Sequence, residues 1–243
     1  MPADSLWLAA IAFCGSVVFG VTGFGAALVS MPLATHLVPL SFALPLYALA
    51  DIANSYSVGL EKPKNAVRAE YLRLVPVILL GTAAGVTVLV NLPRAAGMVL
   101  LGSFVIAYAV YALLPHASRR VISQGWAWVA GFVGGVTSAL FGAGGPPYVI
   151  YLSQRGLSKE AFRATLGLVT MSSISLRVVA FFLTGLLLDP HVWLAAALVV
   201  PAAFAGIAVG RRIFLKASRD QLARVIALLL LASGGSLVWR ALS

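Results

Sequence analysis

Long apolar runs constrain the fold of this chain more than any other feature of its sequence. Residues 74–90, 95–114 and 222–239 each approach the ~20 residues with which an α-helix crosses a hydrocarbon core of roughly 30 Å. Charged residues make up only 10% of the 243 positions, whereas a soluble domain carries roughly 25%. The chain has too little charge to solvate a globular surface, so we expect an all-α integral membrane protein.

The net charge of +10 does not indicate a nucleic-acid partner, because Lys and Arg lie in the short links between the apolar runs. The positive-inside rule places them there in a membrane protein. The single cysteine, Cys14, excludes an intrachain disulfide and offers no metal cluster. We find no cofactor motif and no basic start of a signal peptide. The expected partners are the lipid bilayer and a small ligand, and the oligomeric state stays open.

Two glycine-rich breaks occupy matching positions in the two halves of the chain. Setting Gly23 on Gly142 also sets Gly25 on Gly144, an offset of 119. The pattern Pro-x4-Gly-x3-Gly at 76–85 recurs at 201–210, an offset of 125. Internal repeats of this kind are common in transporters. We therefore predict an N-terminal repeat at 1–120 and a C-terminal repeat at 121–243, which together form one transmembrane domain.

Charge separates two ways of threading these repeats through a membrane. Hydropathy gives eight segments, at 5–35, 39–60, 71–91, 95–114, 125–153, 162–187, 191–210 and 222–240. If all eight cross, the Lys and Arg of loops and helix ends divide seven to nine between the two sides. If segments 5–35 and 125–153 fold back at their glycine breaks, the division becomes fourteen to two, which the positive-inside rule favours.

The hairpin alternative fixes an orientation for each loop. Arg94 and Arg240 are then outside, as is the N-terminus, and the main basic loops are cytoplasmic. Fourteen residues share the cytoplasmic side: Lys62, Lys64, Arg68, Arg73, Arg119, Arg120, Arg155, Lys159, Arg163, Arg211, Arg212, Lys216, Arg219 and Arg224.

An odd number of crossings in each repeat has a topological consequence. Each repeat becomes one re-entrant or broken helical hairpin followed by three transmembrane helices, so the second repeat enters the membrane inverted. The two glycine tips can then meet near the midplane, where irregular backbone is tolerated only if protein buries it or it lines a cavity. The predicted fold class is an all-α polytopic membrane protein with two inverted repeats.

The breaks themselves suggest an anion site. A helix that begins after a break points unpaired N–H groups and a positive dipole end toward it, and such an end binds anions without a charged side chain. Pro146 can start the second half-helix, because its missing N–H costs nothing there, and the second break is the stronger of the two signals. The alternative is a pair of packing kinks. The candidate binding residues at the breaks are Gly23, Phe24, Gly25, Gly142, Gly144, Gly145 and Pro146.

Two charged residues lie deep within apolar segments. Arg177 is inside the run 164–188, where an arginine is costly and faces a cavity or a partner. Its planar guanidinium suits an oxyanion, and the alternative is a structural salt bridge to Asp51. Asp51 either forms that pair or carries a proton during transport. Asn54 and Ser173, on the matching segments, are candidates for hydrogen bonds to a substrate or between helices.

The two breaks together resemble the signatures of a known family, the TauE/SafE sulfite exporters, also called the toluene sulfonate uptake permeases. The matching patterns are Gly20-x2-Gly-Phe-Gly-Ala followed by Pro32, and Gly134-Gly135-x6-Gly142-Ala-Gly-Gly-Pro-Pro. The resemblance implies a bacterial inner-membrane protein that handles sulfite, sulfoacetate or other organosulfonates, driven by a proton or anion gradient. It carries over six residues: Gly23, Gly25, Gly142, Gly144, Gly145 and Pro146.

Three other function classes are weighed against a transporter that works by alternating access around a midplane site. An assembly or scaffold protein would not need charges at midplane depth. An intramembrane enzyme needs a nucleophile and a base within hydrogen-bond reach, but no histidine lies deep in an apolar segment and no paired-acid or metal-ligand spacing occurs. We therefore expect no enzyme. An anion channel uses the same helix ends with a continuous pore, and the sequence does not separate a channel from a carrier.

Overall fold

The computed structural model describes residues 2–114, 121–214 and 219–242, and within these ranges the chain is helical, with no strand. One short 3₁₀ helix, Pro63–Asn65, accompanies the α-helices. The α-helices are α1 (Pro2–Thr22), α2 (Ala26–Ala34), α3 (Leu40–Gly59), α4 (Arg68–Asn91), α5 (Arg94–Leu113), α6 (Trp126–Phe141), α7 (Gly145–Ser153), α8 (Lys159–Leu183), α9 (Pro190–Phe214) and α10 (Arg219–Leu242).

The all-helical architecture predicted from the apolar runs is confirmed for the described residues, and it is consistent with a membrane protein. Among the described residues, α1, α4, α5, α8 and α9 contain stretches long and apolar enough to cross a membrane. Their outward faces carry large apolar side chains such as Leu80, Leu183 and Leu194, which suit a lipid environment. The count of eight hydrophobic segments stays a prediction, because α6 has only 16 residues and α3 carries the polar Asp51 and Asn54.

Both long segments that contain glycine breaks are split in two. The chain turns back on itself at the first break, so that α2 lies antiparallel beside α1, and the Ser30 hydroxyl donates to the Ile11 carbonyl at 3.3 Å. Gly23 and Gly25 have φ angles of 81° and 88°, a left-handed conformation that glycine adopts without steric cost. In the second hairpin Gly142 has a φ of 71° and α7 folds back along α6.

Two pairs of parallel helices form the closest contacts in the bundle. α1 packs along α9 and α4 packs along α6, each through a small-residue face. A Cβ placed on Gly206 of α9 would lie 2.9 Å from the Ser16 Cβ of α1, and one on Gly85 of α4 would lie 2.8 Å from the Ala139 Cβ of α6. Small residues let helix backbones approach closely, which is how helices associate in lipid without a hydrophobic driving force between them.

Two further pairs are antiparallel. α3 packs on α8, with Gly59 against Gly167, and α5 packs on α10, with Gly102 against Gly234. The antiparallel arrangement of α3 and α8 brings the C-terminal end of α3 beside the N-terminal end of α8. Each of the four helix pairs therefore joins one helix from the first half of the chain to one from the second.

Ion pairs gather at the end of the bundle where α3 ends and α8 begins. Glu61 binds Arg163 at 3.3 Å and Arg211 at 2.9 Å, while buried Glu70 binds Arg73 and Arg155, each at 3.0 Å. These four arginines belong to the set predicted to be cytoplasmic, and that orientation stays a prediction. Three members of the set lie outside the described residues: Arg119, Arg120 and Lys216.

The helix directions predict which loops share a side of the membrane. In a Cys14→Ala background, we expect a cysteine at Lys62 or Lys159 to react with a membrane-impermeant maleimide only from the cytoplasmic side, and one at Asp189 only from the outside. All three residues are exposed at helix ends. The measurement is labelling of intact cells against inverted vesicles, and labelling of all three from one side would contradict the topology.

The close helix contacts predict a position-specific cost of adding a methyl group. Gly206→Ala places a Cβ against the Phe13 carbonyl and Ser16, and overpacking of this kind costs about 1–3 kcal/mol. Gly235→Ala on α10 is the matched control, because a Cβ there meets nothing within 4 Å. Thermal unfolding of the purified proteins in detergent should show a lower midpoint for the first variant alone. Equal midpoints for the two would argue against close α1–α9 packing.

Candidate functional site

The two glycine breaks line a single small cavity, although 119 positions separate them along the chain. Its volume of about 30 Å³ holds about two water molecules. The surrounding segments are the end of α1, the start of α2, the middle of α3 and α8, the end of α6 and the start of α7. The residues on its wall that belong to the breaks or carry polar side chains are Phe24, Gly25, Gly142, Gly144, Gly145, Asp51, Ser138, Tyr148, Thr170 and Ser173.

The breaks touch each other directly, and glycine makes this possible. A Cβ on Gly142 would lie 2.9 Å from the Ala27 Cβ and 2.9 Å from Arg177 Nη1. A Cβ on Gly145 would lie 2.8 Å from Cδ2 of Phe24. Any side chain at either glycine would therefore push the two hairpins apart, and with them the walls of the cavity.

The helix N-termini at the cavity differ in what they can donate. α7 has prolines at its second and third residues, Pro146 and Pro147, which carry no N–H, so its first turn offers few donors. α2 begins with Ala26 and Ala27, both on the cavity wall and both with an N–H that has no partner within the helix. For an anion the first break is therefore the better donor, whereas the sequence pattern made the second break the stronger signal.

A buried ion pair lies against this cavity. Arg177 Nη2 donates to Asp51 Oδ2 at 2.8 Å, and its Nη1 donates to the Ser138 carbonyl at 3.2 Å. Asp51 forms part of the cavity wall, while Arg177, only 1% exposed, lies behind it. Arg177 Nε is buried and has no hydrogen-bond partner among the described residues. The Asp51 carboxylate thus lies between the cavity and the positive charge of Arg177.

A chain of hydroxyl groups continues along the wall. The Tyr148 hydroxyl lies 3.0 Å from Ser173 Oγ, and Ser173 Oγ donates to Ser138 Oγ at 3.1 Å. Thr170 adds a fourth hydroxyl, which bonds its own helix at Leu166 O. These rotatable hydroxyls can donate to or accept from a ligand as its charge requires.

The structure brings some of the predicted binding residues to the cavity and leaves others away from it. Phe24, Gly25, Gly142, Gly144, Gly145 and Ser173 are on the wall, together with Asp51. Gly23 shapes the turn without lining the cavity, and Pro146 lines a separate groove. Asn54 is buried and donates to Ser16 Oγ at 2.9 Å, so it joins α3 to α1.

Three polar wall residues were missed from the sequence: Ser138, Tyr148 and Thr170. Thr170 had a usable signal, because Thr170, Ser173 and Arg177 are spaced by three and four residues and share one face of α8. No sequence pattern pointed to Tyr148 or Ser138, since their positions on the cavity wall depend on how α7 folds back against α6.

The buried ion pair predicts that replacing Arg177 alone lowers stability far more than replacing Arg177 and Asp51 together. Removing one partner of a buried pair costs about 3–5 kcal/mol, because it leaves an uncompensated charge, whereas replacing both is often neutral. We expect Arg177→Met to lower the free energy of unfolding by that amount and the double variant Asp51→Leu/Arg177→Met to recover most of it. The measurement is unfolding of the purified protein in detergent.

Arg163→Met supplies the control for this series. Its partner Glu61 and Arg163 itself are more than one-third exposed, and exposed pairs contribute about 0–1 kcal/mol. A similar loss for Arg163→Met and Arg177→Met, or no recovery in the double variant, would contradict a tight buried pair.

Comparison with known proteins places this geometry in context. Residues 8–237 match the sequence profile of a family described as sulfite exporter TauE/SafE. The chain is 28% identical over 250 aligned positions to the "Probable sulfite/organosulfonate exporter TauE" of Cupriavidus necator, covering 98% of this chain and 95% of that protein. It is also 28% identical over 175 positions to the "Probable inner membrane transporter protein TsaS" of Comamonas testosteroni, covering 69% of this chain and 72% of that protein. No solved structure matches the chain.

Proposed function

The chain belongs to the sulfite exporter TauE/SafE family, and we propose that it carries sulfite or a small organosulfonate such as sulfoacetate across a bacterial inner membrane by alternating access. The family is described as a sulfite exporter, and the two relatives are named as a probable exporter and a probable inner-membrane transporter, which supports transport of a small anion through a multi-pass membrane protein as the general activity. The substrate, the mechanism and the orientation with basic loops in the cytoplasm are the proposed part.

One observation carries the proposal. Two helix-breaking turns from opposite halves of the chain line the same cavity, and a fully buried Asp51–Arg177 pair lies against that cavity. Irregular backbone and buried charge are both costly inside a membrane protein and mark transport pathways. Their coincidence at one place is expected for a site at which a small anion is bound and released.

The helix pairing supports a site between two inverted repeats. α1 with α9 has its counterpart in α6 with α4, and both pairs are parallel. α3 and α5 each pair with their own counterparts, α8 and α10, and both pairs are antiparallel. A twofold axis in the membrane plane produces this set of directions, and rocking of one repeat against the other around a fixed site is the usual mode of alternating access.

The ion pair supplies a mechanism for coupling. Asp51 and Arg177 lie on the matching helices α3 and α8 and are 126 residues apart, close to the repeat offset. An oxyanion that enters the cavity competes with the Asp51 carboxylate for the guanidinium, and the two negative charges repel. Protonation of Asp51 removes that repulsion and releases Arg177 for the anion. The anion and a proton then cross together, which makes Asp51 the coupling residue.

The small volume of the cavity supports a mechanism in which its walls move. A space of about 30 Å³ holds about two water molecules, so we infer that the walls move apart when an anion passes. The helix pairs that join the two halves of the chain, among them α1 with α9 and α4 with α6, are the surfaces along which we propose that this movement occurs.

Counterflow of radiolabelled sulfite into proteoliposomes tests this function. We expect saturable uptake by the intact protein and at least a roughly tenfold loss in Arg177→Lys, because a lysine cannot reproduce the planar two-pronged contact. Arg163→Lys, altered at the exposed Glu61 pair, is the matched control and should retain uptake. We expect Asp51→Asn to exchange sulfite but to lose its response to an imposed pH gradient.

Each other outcome points to a different conclusion. Flux that rises linearly with sulfite concentration would indicate a channel. Full activity of Arg177→Lys would place the anion at the helix N-termini alone. No flux of sulfite or sulfoacetate, from protein shown to be folded, would exclude the proposed substrates.

A further inference from the structure

A second, larger space lies beside the cavity, on the outer surface of the bundle between α5, α6 and α7. This groove has a volume of about 360 Å³ and an almost entirely apolar lining. Aromatic rings dominate its wall: Phe104, Tyr108, Tyr111, Trp126 and Tyr151. Pro146, at the start of α7, also lines it, so the groove comes within one residue of Gly145, which is on the wall of the polar cavity.

The side chain of Phe24 lies between the two spaces. It is on the wall of the cavity, and its ring rests on the bare backbone of Gly145. On the other side it meets the Tyr108 ring edge-on, with centroids 6.3 Å apart, and Tyr108 belongs to the groove. Phe24 also packs against both of the larger apolar clusters of the bundle. One aromatic ring thus separates the polar cavity from the apolar groove.

The backbone holds this ring in place. The Thr22 hydroxyl donates to the Phe24 carbonyl at 2.5 Å, and the Phe24 N–H donates to the same hydroxyl at 3.3 Å. Gly23 and Gly25, both with positive φ, flank the residue on either side. Such a turn defines where the Phe24 side chain points.

The second break has no equivalent partition. The offset that sets Gly23 on Gly142 and Gly25 on Gly144 sets Phe24 on Ala143, whose side chain is a single methyl group. The aromatic barrier is therefore a property of the first break only. The two turns also differ in backbone, because Gly25 has a φ of 88° whereas its counterpart Gly144 has a φ of −73°.

We propose that Phe24 is the residue that limits the size of the substrate. This inference rests on the transport function proposed above. It predicts that the intact protein binds small oxyanions, such as sulfite and methanesulfonate, and excludes sulfonates with a bulky apolar body. Removing the ring joins the cavity to the groove, so that a sulfonate can bind in the cavity while its apolar part lies among the aromatic side chains of the groove.

The test is competition with sulfite counterflow by two unlabelled sulfonates, methanesulfonate and benzenesulfonate. In the intact protein we expect methanesulfonate to compete and benzenesulfonate to compete poorly. In Phe24→Ala the ratio of their inhibition constants should shift toward benzenesulfonate by at least about tenfold, within the range that a hydrophobic pocket provides for added apolar groups. Phe24→Tyr, which keeps the ring, should leave the ratio unchanged.

Phe19→Ala is the matched control. Phe19 lines the same cavity but packs with Ala26, Val58 and Ile207, on α2, α3 and α9, away from the groove. Truncation there enlarges the cavity without opening it toward the groove. An unchanged ratio in Phe24→Ala, or an equal shift in Phe19→Ala, would overturn the proposal.

A readout that does not depend on transport keeps the inference separate from the proposed function. We expect benzenesulfonate to raise the thermal unfolding midpoint of purified Phe24→Ala, and of the milder Phe24→Leu, but not that of the intact protein. If the intact protein fails to exchange sulfite, the transport proposal fails while this binding shift still tests Phe24. Equal shifts in the intact protein and both variants would overturn the role of Phe24.

Discussion

Backbone polar groups in hydrocarbon must find partners within the protein, and the arrangement of this bundle follows from that constraint. The chain breaks its helices twice, at Gly23–Gly25 and at Gly142–Gly144, and each break leaves N–H and C=O groups that no lipid can satisfy. Thr22 covers part of the first turn, and the N–H of Gly142 returns to the Ser138 carbonyl. The N–H groups of Gly23 and Ala143 likewise donate to the carbonyls of Phe19 and Thr137, and residues of both breaks line one cavity. Burying both breaks together requires the surrounding helices to pack closely, which the glycines of α4, α6 and α9 permit.

The cost of burying polar groups in hydrocarbon also applies to the charged side chains. A lone arginine among these helices would be very costly, and Asp51 makes Arg177 tolerable by pairing with it at 2.8 Å. The ion pair as a whole has no net charge, however, so Arg177 attracts an anion only weakly while Asp51 is bound to it. In the transport mechanism proposed above, the carboxylate on the cavity wall, with the guanidinium behind it, makes the affinity for an anion depend on the protonation state of Asp51. In that mechanism the ion pair that stabilises the fold must open before the anion binds.

The sequence predicts the elements of this structure better than it predicts their contacts. The breaks at Gly23 and Gly142 were predictable because glycine and proline act locally on the backbone, and the deep charges because the depth of a residue in an apolar run can be counted. The contacts between these elements were harder to predict from the sequence. Nothing local indicates that Tyr148 reaches Ser173, or that Asn54 binds Ser16 instead of lining the cavity. Pro146 illustrates the limit: its role at the start of α7 was foreseeable, but the side on which its ring would lie was not.

The exchange of partners between the two halves also bears on how the protein is made. α1 lies along α9 and α4 lies along α6, so two helices synthesised early find their closest neighbours only after the second half of the chain has entered the bilayer. Until then the glycine-lined face of α4 and the face of α1 that later meets α9 lack the helices that they contact in the finished bundle. The first 120 residues, which the sequence predicts to be one repeat, therefore lack the partners of α1 and α4, and these helix pairs form only after α6 and α9 have been synthesised.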